Sequence, residues 1–452
     1  MVPLLSLARS SSLDNSLIAS CGLDEHVLVS NAALGAFECY KEIFTGKRVL
    51  FVVGKGNNGS DALALVPLVL PVASSVAVYC HFDKGNEENE GRRRTLSPSL
   101  FVSDVVECDV IVDGLFGVKC RLPLDSLTRD LVDKINSSRA TVISLDCPSA
   151  FLVRADYTIT FMCQKEEMYL PDRRAFCGKI TFFNPGFPSA SVRGDGRTFL
   201  LTDDDYNPPS FNLDGYKNSR GHVSVIAGSE RYPGAAIMAA LSAFHSGAGK
   251  VSVLSSESVR NAVLSSYPSI MTASESSDFS SFDSFVVGPG WDEGSAELLE
   301  KVNESGKSYV VDADGIKLLG GLDCAWHAVI TPHIGEFRRL LPLLSIDEGN
   351  LIDNVKKVAL TLECIVVLKG VTVIISDGER VYFADGANPS LGVAGSGDVL
   401  SGVIGAFLAA GDEPLSAAVN GVLLHQRSGR RAHAELGFYS AEDLIRTIGR
   451  ER

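Results

Sequence analysis

Residues 388–411, NPSLGVAGSGDVLSGVIGAFLAAG, decide the fold and the chemistry expected of this chain. The small residues Gly395, Ser396 and Gly397 directly precede an apolar helical run, which ends at Gly411. Glycines let the backbone approach a ligand closely, and the free N–H groups at a helix N-terminus attract anions. The sequence therefore predicts an anion site at the start of this helix.

Asp398 lies at the same helix start and is a candidate base. The helix dipole favours its ionised form, which can accept a proton beside a bound phosphate. The alternative is that Asp398 only caps the helix and that the two glycines belong to an ordinary loop. This short motif is weak by itself, so the neighbouring strands and loops have to decide between the two interpretations.

Length, charge and cysteine content limit the number of domains, the partners and the compartment that are expected. A chain of 452 residues is long enough for two or three domains. A formal net charge of −14 argues against nucleic acid as the main partner. The ten cysteines form no CxxC pair and no cluster at zinc spacing, which is typical of a reduced, cytoplasmic protein.

The N-terminus and one apolar run bear on membrane association. The first twelve residues are too short and too weakly apolar for a secretory signal. The apolar run 62–79 approaches membrane-spanning length, but Pro67 and Pro71 interrupt it. We expect a helix followed by a buried strand there, and no membrane partner.

Strand and helix patterns alternate along the whole chain. Continuous Val/Ile/Leu runs predict parallel strands buried on both faces. In the first half these are 48–54, 75–79, 109–114, 141–146 and 156–161, and in the second 222–228, 250–254, 284–290, 308–315, 327–333 and 365–369. A hairpin over 372–384 turns at Asp377-Gly378. The polar segment 202–219 is the predicted linker, so two doubly wound α/β domains are expected, 1–203 and 204–452.

Polar and glycine residues follow six strands of the second half. The carboxyl ends of parallel strands share one edge of a sheet, where ligands bind. Lys369 is suited to a phosphate, and Asp312 or Glu336 could hold Mg²⁺ through water. His333 is either a site residue or a hydrogen-bonded core histidine.

The second half resembles the ADP- or ATP-dependent NAD(P)H-hydrate dehydratases of the ribokinase-like superfamily. The matching motifs, in family order, are GHVSVIAGSERYPGAA, HSGAGKVSV, VVGPG, VVDADG, TPHIGEF, VVLKGVTVII and NPSLGVAGSGDVLSG. The resemblance implies that the nucleotide phosphorylates the 6-hydroxyl of hydrated NADH or NADPH. Phosphate then leaves, which regenerates the dihydronicotinamide.

The resemblance also assigns roles within the second half. Asp398 would be the base for the hydroxyl, and Gly395, Ser396 and Gly397 would hold the transferred phosphoryl group. The hydrate would contact Ala235, Gly290, His333 and Asp398. The nucleotide would contact Lys369, Gly370, Val371, Thr372, Val373, Gly395, Ser396 and Gly397.

The first half resembles the NAD(P)H-hydrate epimerases, a Rossmann-like family found fused to the dehydratase. The motifs are VVGKGNNGSDALALV, VIVDGLFG and SLDCPSA. The resemblance implies that Asp146 acts in epimerisation of the R and S hydrates. It implies a K⁺ site at Asn58, Asp113 and Ser149, and a hydrate site at Asn57, Asn58, Gly59, Ser60, Asp61, Gly117 and Asp146.

Two positions depart from the epimerase pattern. Ser60 and Ala150 stand where the family usually has glycine, and only residues 151–155 separate the third motif from the next strand. An alanine is costly where φ must be positive. A dehydratase with a purely structural first domain is therefore one alternative, and a small-molecule kinase of the ribokinase-like type is another.

The expected ligands are ADP or ATP, Mg²⁺ and K⁺, and the many buried strands are compatible with a homo-oligomer.

Overall fold

The computed structural model of the chain describes residues 1–118, 120, 123–189, 192, 196–211 and 215–452. These residues form two compact units, one of Pro3–Thr198 and one of Phe199–Arg452 with Met1–Val2. Part of the predicted linker, residues 212–214, lies outside the described residues. The division at 203/204 into two functional domains stays a prediction.

The N-terminal unit is a doubly wound parallel sheet. Its strands are β1 (Val2–Leu5), β2 (Arg48–Val53), β3 (Ser75–Cys80), β4 (Phe101–Val102), β5 (Val110–Gly114), β6 (Thr141–Leu145), β7 (Tyr157–Phe161), β8 (Gln164–Lys165) and β9 (Lys179–Phe183). Its helices are α1 (Leu7–Cys21), α2 (Glu25–Phe44), α3 (Asn57–Val69), α4 (Glu87–Thr95) and α5 (Ser126–Ser137). The sheet order is β4-β3-β2-β5-β6-β7-β9, and β1 pairs in parallel with β8.

Burial in this sheet follows the predicted pattern except in β3. In β2 every residue after Arg48 is buried, as a central strand requires. In β3 only Val78 is buried, so the expectation of a buried strand at 75–79 is wrong. The reason is its place in the sheet, since the two-residue β4 covers only part of its outer side.

The C-terminal unit is a larger mixed sheet. Its strands are β10 (Thr198–Leu200), β11 (His222–Ile226), β12 (Lys250–Leu254), β13 (Met271–Ala273), β14 (Ser284–Val287), β15 (Ser308–Val311), β16 (Ala328–Ile330), β17 (Ile365–Leu368), β18 (Thr372–Ser376) and β19 (Val381–Asp385). Its helices are α6 (Pro233–His245), α7 (Glu257–Ser266), α8 (Ala296–Glu304), α9 (Ile334–Leu343), α10 (Leu351–Leu362), α11 (Ser396–Ala409), α12 (Pro414–Leu436) and α13 (Ala441–Glu451).

The order of this sheet matches the alternation in the sequence. It runs β13-β12-β11-β14-β15-β16-β17-β18-β19 and continues with β10 beside β19. The strands are parallel up to β17, and β18 and β19 form the predicted antiparallel hairpin. Several predicted strands were too long, because terminal segments such as Gly288-Pro289-Gly290 leave the ladder to form the loops at its carboxyl edge.

Helix α11 is deeply packed in the C-terminal unit, with every residue from Val399 to Ala409 buried. A Cβ atom on Gly402 would lie 2.1 Å from the Ala239 carbonyl oxygen of α6. One on Gly405 would lie 2.4 Å from Val286 Cγ2 of β14. Glycine therefore allows α11 to lie against both α6 and the sheet. Although this helix is apolar, no described helix is long and apolar enough to span a bilayer.

We expect Gly402→Ala to lower the free energy of unfolding of the C-terminal unit by about 2 kcal/mol, because overpacking displaces α6. Gly234→Ala is the matched control, since nothing lies within 4 Å of its added Cβ. Denaturant unfolding of both variants is the measurement. Equal stability of the two variants would contradict this account of the packing.

Candidate functional site

The first turn of α11 carries the residues predicted to hold an anion. Gly395 is the N-cap with φ +90°, and the helix begins at Ser396. Ser396 and Gly397 therefore belong to the helix and do not precede it. A Cβ on Gly395 would lie 2.2 Å from Met238 Sδ, so this turn requires glycine both for its backbone angle and for space.

A buried ion pair lies directly beside this turn. Lys369 Nζ, at the end of β17, donates to Asp312 Oδ1, at the end of β15, at 2.6 Å. The Asp312 side chain is 1% exposed and that of Lys369 is 20% exposed. A Cβ on Gly397 would lie 3.2 Å from Lys369 Nζ and 3.9 Å from Asp312 Oδ2. The predicted phosphate-binding lysine and the glycine turn are thus neighbours.

The electrostatics of Asp398 differ from the sequence expectation. Burial, with the nearby Asp312 carboxylate, raises the pKa of Asp398 to about 7, although Lys369 lowers it. The sequence shows only the helix dipole, which favours the ionised form, whereas burial and Asp312 act in the opposite direction. Near neutral pH both protonation states are populated, which is the range in which a general base works best.

His425 is a site residue that the sequence reasoning missed. Its Nε2 lies 3.0 Å from the Ser396 carbonyl oxygen, and burial lowers its pKa to about 4. Because a carbonyl only accepts, the neutral imidazole donates from Nε2 and holds the first turn of α11 in place. A histidine within the apolar stretch of α12 was the only available signal, and that pattern does not separate a core residue from a site residue.

His333 and Glu336 interact with each other at the start of α9. The His333 Nδ1 accepts from the Gly335 N–H at 2.9 Å, and Glu336 Oε2 accepts from the His333 N–H at 2.8 Å. Glu336 is therefore drawn into a helix cap, which disfavours the expectation that it holds Mg²⁺. The backbones of His333 and Lys369 form a parallel β-bridge where strands β16 and β17 end, so His333 lies beside the charged site. Its side chain is half exposed.

The remaining predicted residues of this unit fall into two groups. A Cβ on Gly290 would lie 2.7 Å from Ala235 Cβ and 3.0 Å from Tyr232 Cβ, so the two hydrate-site candidates meet. Gly370 and Val371 are accessible at the turn after β17. Thr372 and Val373 are buried in β18, so their side chains are not exposed at this turn.

A cavity of about 310 Å³ lies within the N-terminal unit. Five of the seven predicted hydrate-site residues line it: Asn57, Asn58, Asp61, Gly117 and Asp146. Burial and the nearby Asp146 raise the pKa of Asp61 well above its usual range. The cavity also has a wall that the sequence reasoning missed, contributed by Ser10, Ser11 and Asp14 of α1.

The other two predicted residues, Gly59 and Ser60, do not line the cavity. A Cβ on Gly59 would lie 2.2 Å from the Gly54 carbonyl oxygen, so glycine is needed for the close turn into α3. Ser60 is fully buried and its Oγ donates to Asn86 Oδ1 at 3.2 Å. The serine that departs from the family pattern is thus accommodated by one hydrogen bond.

Asp146 is paired with a lysine that the sequence reasoning missed. Lys165 Nζ donates to Asp146 Oδ1, and the lysine side chain is 1% exposed. Burial, the largest single effect, lowers the pKa of Lys165, but Asp146 together with Cys163 and Cys147 raises the pKa overall. A lysine shortly after the apolar strand β7 was the only signal in the sequence.

The predicted K⁺ ligands converge behind the cavity. Asn58 Nδ2 donates to the Phe116 carbonyl oxygen at 2.9 Å, and Ser149 Oγ lies 3.2 Å from the same oxygen. Ser149 Oγ donates its one hydrogen to Asp113 Oδ1 at 2.6 Å. Asn58 Oδ1 is buried and has no hydrogen-bond partner among the described residues. Amide, carbonyl, hydroxyl and carboxylate oxygens in one place fit a hard cation.

No group of three or more His, Cys, Asp or Glu side chains in the described part of the chain is arranged to hold a metal ion.

The departure at Ala150 carries backbone strain. Its φ is +58°, and the next residue, Phe151, has φ +51°. Both lie in the left-handed region, where a residue with a Cβ is disfavoured. The loop therefore keeps a conformation suited to glycine with an alanine in its place.

Comparison with known families divides the chain in the same way as the two sheets. The family described as NAD(P)H-hydrate dehydratase matches residues 223–450. The family described as YjeF-related protein N-terminus matches residues 25–166.

Curated relatives match the chain over nearly its whole length. The bifunctional NAD(P)H-hydrate repair enzyme of Mycobacterium leprae is 30% identical over 461 residues, covering 96% of this chain and 94% of the relative. That of Mycobacterium tuberculosis is 31% identical and covers 87% and 86%. That of Escherichia coli is 29% identical and covers 95% and 90%.

Solved structures resemble the C-terminal unit. A ribokinase-like superfamily protein from Enterococcus faecalis gives a TM-score of 0.51 at 24% identity, covering 56% of this chain and 94% of that protein. The ADP/ATP-dependent NAD(P)H-hydrate dehydratase from Bacillus subtilis, co-crystallised with ATP and Mg²⁺, gives 0.50 at 23%, covering 57% and 100%. At these identities the likeness establishes the ribokinase-like fold.

We expect Ala150→Gly to raise the free energy of unfolding of the N-terminal unit by about 1 kcal/mol, because it removes the cost of a left-handed alanine. Ala140→Gly is the control, since Ala140 has no positive φ and should lose stability from added chain entropy. The measurement is denaturant unfolding. A loss of stability in both variants would contradict the assigned strain.

Proposed function

The chain belongs to the family of bifunctional NAD(P)H-hydrate repair enzymes, and we propose that it regenerates NADH and NADPH from their hydrates. The C-terminal unit would dehydrate the S hydrate with ADP or ATP, and the N-terminal unit would epimerise the R and S hydrates. The observation that carries the first activity is the group of Asp398, Asp312 and Lys369 at the start of α11. The cavity with Asp146 supports the second.

In the proposed dehydration, Asp398 takes the proton of the C6 hydroxyl. The hydroxyl oxygen then attacks the terminal phosphorus of the nucleotide. Phosphate then leaves C6, a proton leaves C5, and the C5–C6 double bond forms. Gly395 to Gly397 offer N–H groups to the phosphoryl oxygens, with Lys369 as a point charge beside them. Either nucleotide presents a terminal phosphoryl group to this turn, so the geometry is compatible with both.

Mg²⁺ fits this site only as an ion held largely by the nucleotide phosphates. Asp312 is the carboxylate placed to reach such an ion through water, and it already pairs with Lys369. When bound, the ion would neutralise phosphate charge during transfer. The protein's own part is to orient the phosphates on the first turn of α11.

In the proposed epimerisation, Asp146 transfers the proton at C6 within the cavity. Asn57, Asn58, Asp61 and Gly117 surround the hydrate there. K⁺ would be held by Asn58, Asp113 and Ser149, and would fix the loop around the Phe116 carbonyl against the cavity. The cytoplasmic location and the homo-oligomer stay predictions from the sequence.

We expect Asp398→Asn to abolish nucleotide-dependent regeneration of NADH from the S hydrate while leaving nucleotide affinity within about twofold, because only proton transfer is lost. The measurement is NADH absorbance, with nucleotide binding followed by calorimetry. Turnover close to that of the wild type would remove Asp398 from the mechanism.

The rate of dehydration should depend on pH through Asp398. Because the base works ionised and its pKa is about 7, kcat should rise as pH increases through about 7 and then level off. Asp312→Asn removes a negative charge that raises this pKa, so the midpoint should move to lower pH. A midpoint that stays or moves upward in that variant would contradict the assigned electrostatics.

Lys369→Ala should weaken nucleotide binding at least tenfold, because it removes a charge beside the phosphates. Lys317→Ala is the matched control, since Lys317 pairs with Asp314 at an exposed position of the same unit. Calorimetric titration with ADP and with ATP is the measurement. Equal affinities of the two variants would show that Lys369 does not face the nucleotide.

A further inference from the structure

Lys165 has an unusual environment for a lysine. Its side chain is 1% exposed, and Nζ donates to Asp146 Oδ1, to Thr160 Oγ1 at 2.7 Å and to the Phe161 carbonyl oxygen at 2.9 Å. These three acceptors use all three ammonium hydrogens. The lysine is therefore fixed in one orientation, at a point where it also forms part of the cavity wall.

Asp146 is held in a conformation that needs support. Its φ is +62°, a left-handed backbone that costs free energy for a residue with a Cβ. Its N–H donates to the Ile159 carbonyl oxygen at 2.7 Å, which ties this backbone to β7. The ion pair with Lys165 then fixes the carboxylate itself.

The two oxygens of Asp146 have different surroundings. Oδ1 faces Lys165, whereas Oδ2 lies 3.5 Å from the position that a Cβ on Gly117 would occupy. The same position is 3.6 Å from Asn58 Cβ. Oδ2 is therefore the oxygen that faces the predicted hydrate-binding residues.

We propose that Lys165 is a positioning residue of the epimerase, which holds Asp146 Oδ1 so that Oδ2 is aimed at the proton on C6 of the hydrate. This inference rests on the proposed epimerisation and adds a residue to it. Lys165 donates all its hydrogens to the protein, so it acts through Asp146 and does not bind the substrate.

A purely structural role does not account for this lysine. A buried ion pair is poor at stabilising a fold, because desolvation offsets the attraction between the charges. An apolar residue of similar length would fill the same space at lower cost. The pair instead lies at the cavity wall and includes the carboxylate proposed to transfer the proton. Fixing such a carboxylate in place before the substrate binds raises the rate of the reaction.

The test measures conversion of pure R hydrate to NADH with saturating nucleotide, so that the protein's own C-terminal unit consumes each S hydrate formed. Lys165→Ala should lower the epimerisation rate about 100-fold, the scale expected for a misplaced catalytic group. Consumption of S hydrate should be unchanged. Lys134→Met is the matched control, because it breaks a Lys–Asp pair of the same unit at an exposed position, and it should leave both rates unchanged.

Chemical rescue separates positioning from folding. The space left by Lys165→Ala opens onto the cavity, so added propylammonium should restore activity at least tenfold, whereas neutral propanol should not. Lys165→Met, which fills the space without charge, should stay inactive and show no rescue. A double variant with Asp146→Asn should be no slower than Asp146→Asn alone, because the two residues act as one unit.

Each outcome decides between these roles. Rescue by the amine with non-additivity supports positioning by Lys165. Wild-type rates in Lys165→Ala, or equal restoration by propanol, would overturn it while leaving the epimerase function intact. A wild-type protein that converts R hydrate only at the spontaneous rate would overturn the epimerase function itself, and with it this role.

Discussion

The close contact of α11 with α6 and the sheet is the constraint on which the C-terminal unit depends. Glycines at 395, 402 and 405 are the positions where a side chain would collide with Met238, Ala239 or Val286. Because the helix lies so deep, its first turn reaches the carboxyl edge of the sheet. Asp398 is thereby brought beside the charges of Asp312 and Lys369.

Both units use the same physical arrangement at their proposed sites. In each, a carboxylate directly after a parallel strand pairs with a lysine from another strand end: Asp312 with Lys369, and Asp146 with Lys165. Asp312 and Lys369 follow strands of one parallel sheet, whose carboxyl ends share an edge. Lys165 instead ends β8, which is not a strand of the sheet that contains β6. Burial lowers the local dielectric constant and so strengthens the electrostatic interaction between the two charges of each pair.

The fold was largely predictable because buried parallel strands have a strong sequence pattern. Runs such as 49–53 and Ile365–Leu368 are apolar along their whole length, and the Asp377-Gly378 turn marks the hairpin. The burial of β3 was not predictable, since it depends on how short the neighbouring strand is. The hydrophobic pattern of one strand carries no information about the length of the neighbouring strand in the sheet.

The candidate sites were predictable only where a motif names the residue. GSGD marks Asp398, and SLDCPSA marks Asp146. Lys165 and His425 have no motif, because each acts through a tertiary contact that the local sequence pattern does not show. The pKa of Asp398 also escaped prediction, since the helix dipole is visible in a sequence whereas burial and a second carboxylate are not.

Complementation between two single-site variants tests most directly whether each unit carries one half of the repair. Asp146→Ala and Asp398→Asn are each supplied with pure R hydrate and nucleotide, separately and as an equimolar mixture, and NADH is followed. The account predicts only the spontaneous rate with Asp146→Ala, no NADH with Asp398→Asn, and faster formation in the mixture than in either alone. A mixture no faster than Asp146→Ala alone would contradict two independent active sites in this chain.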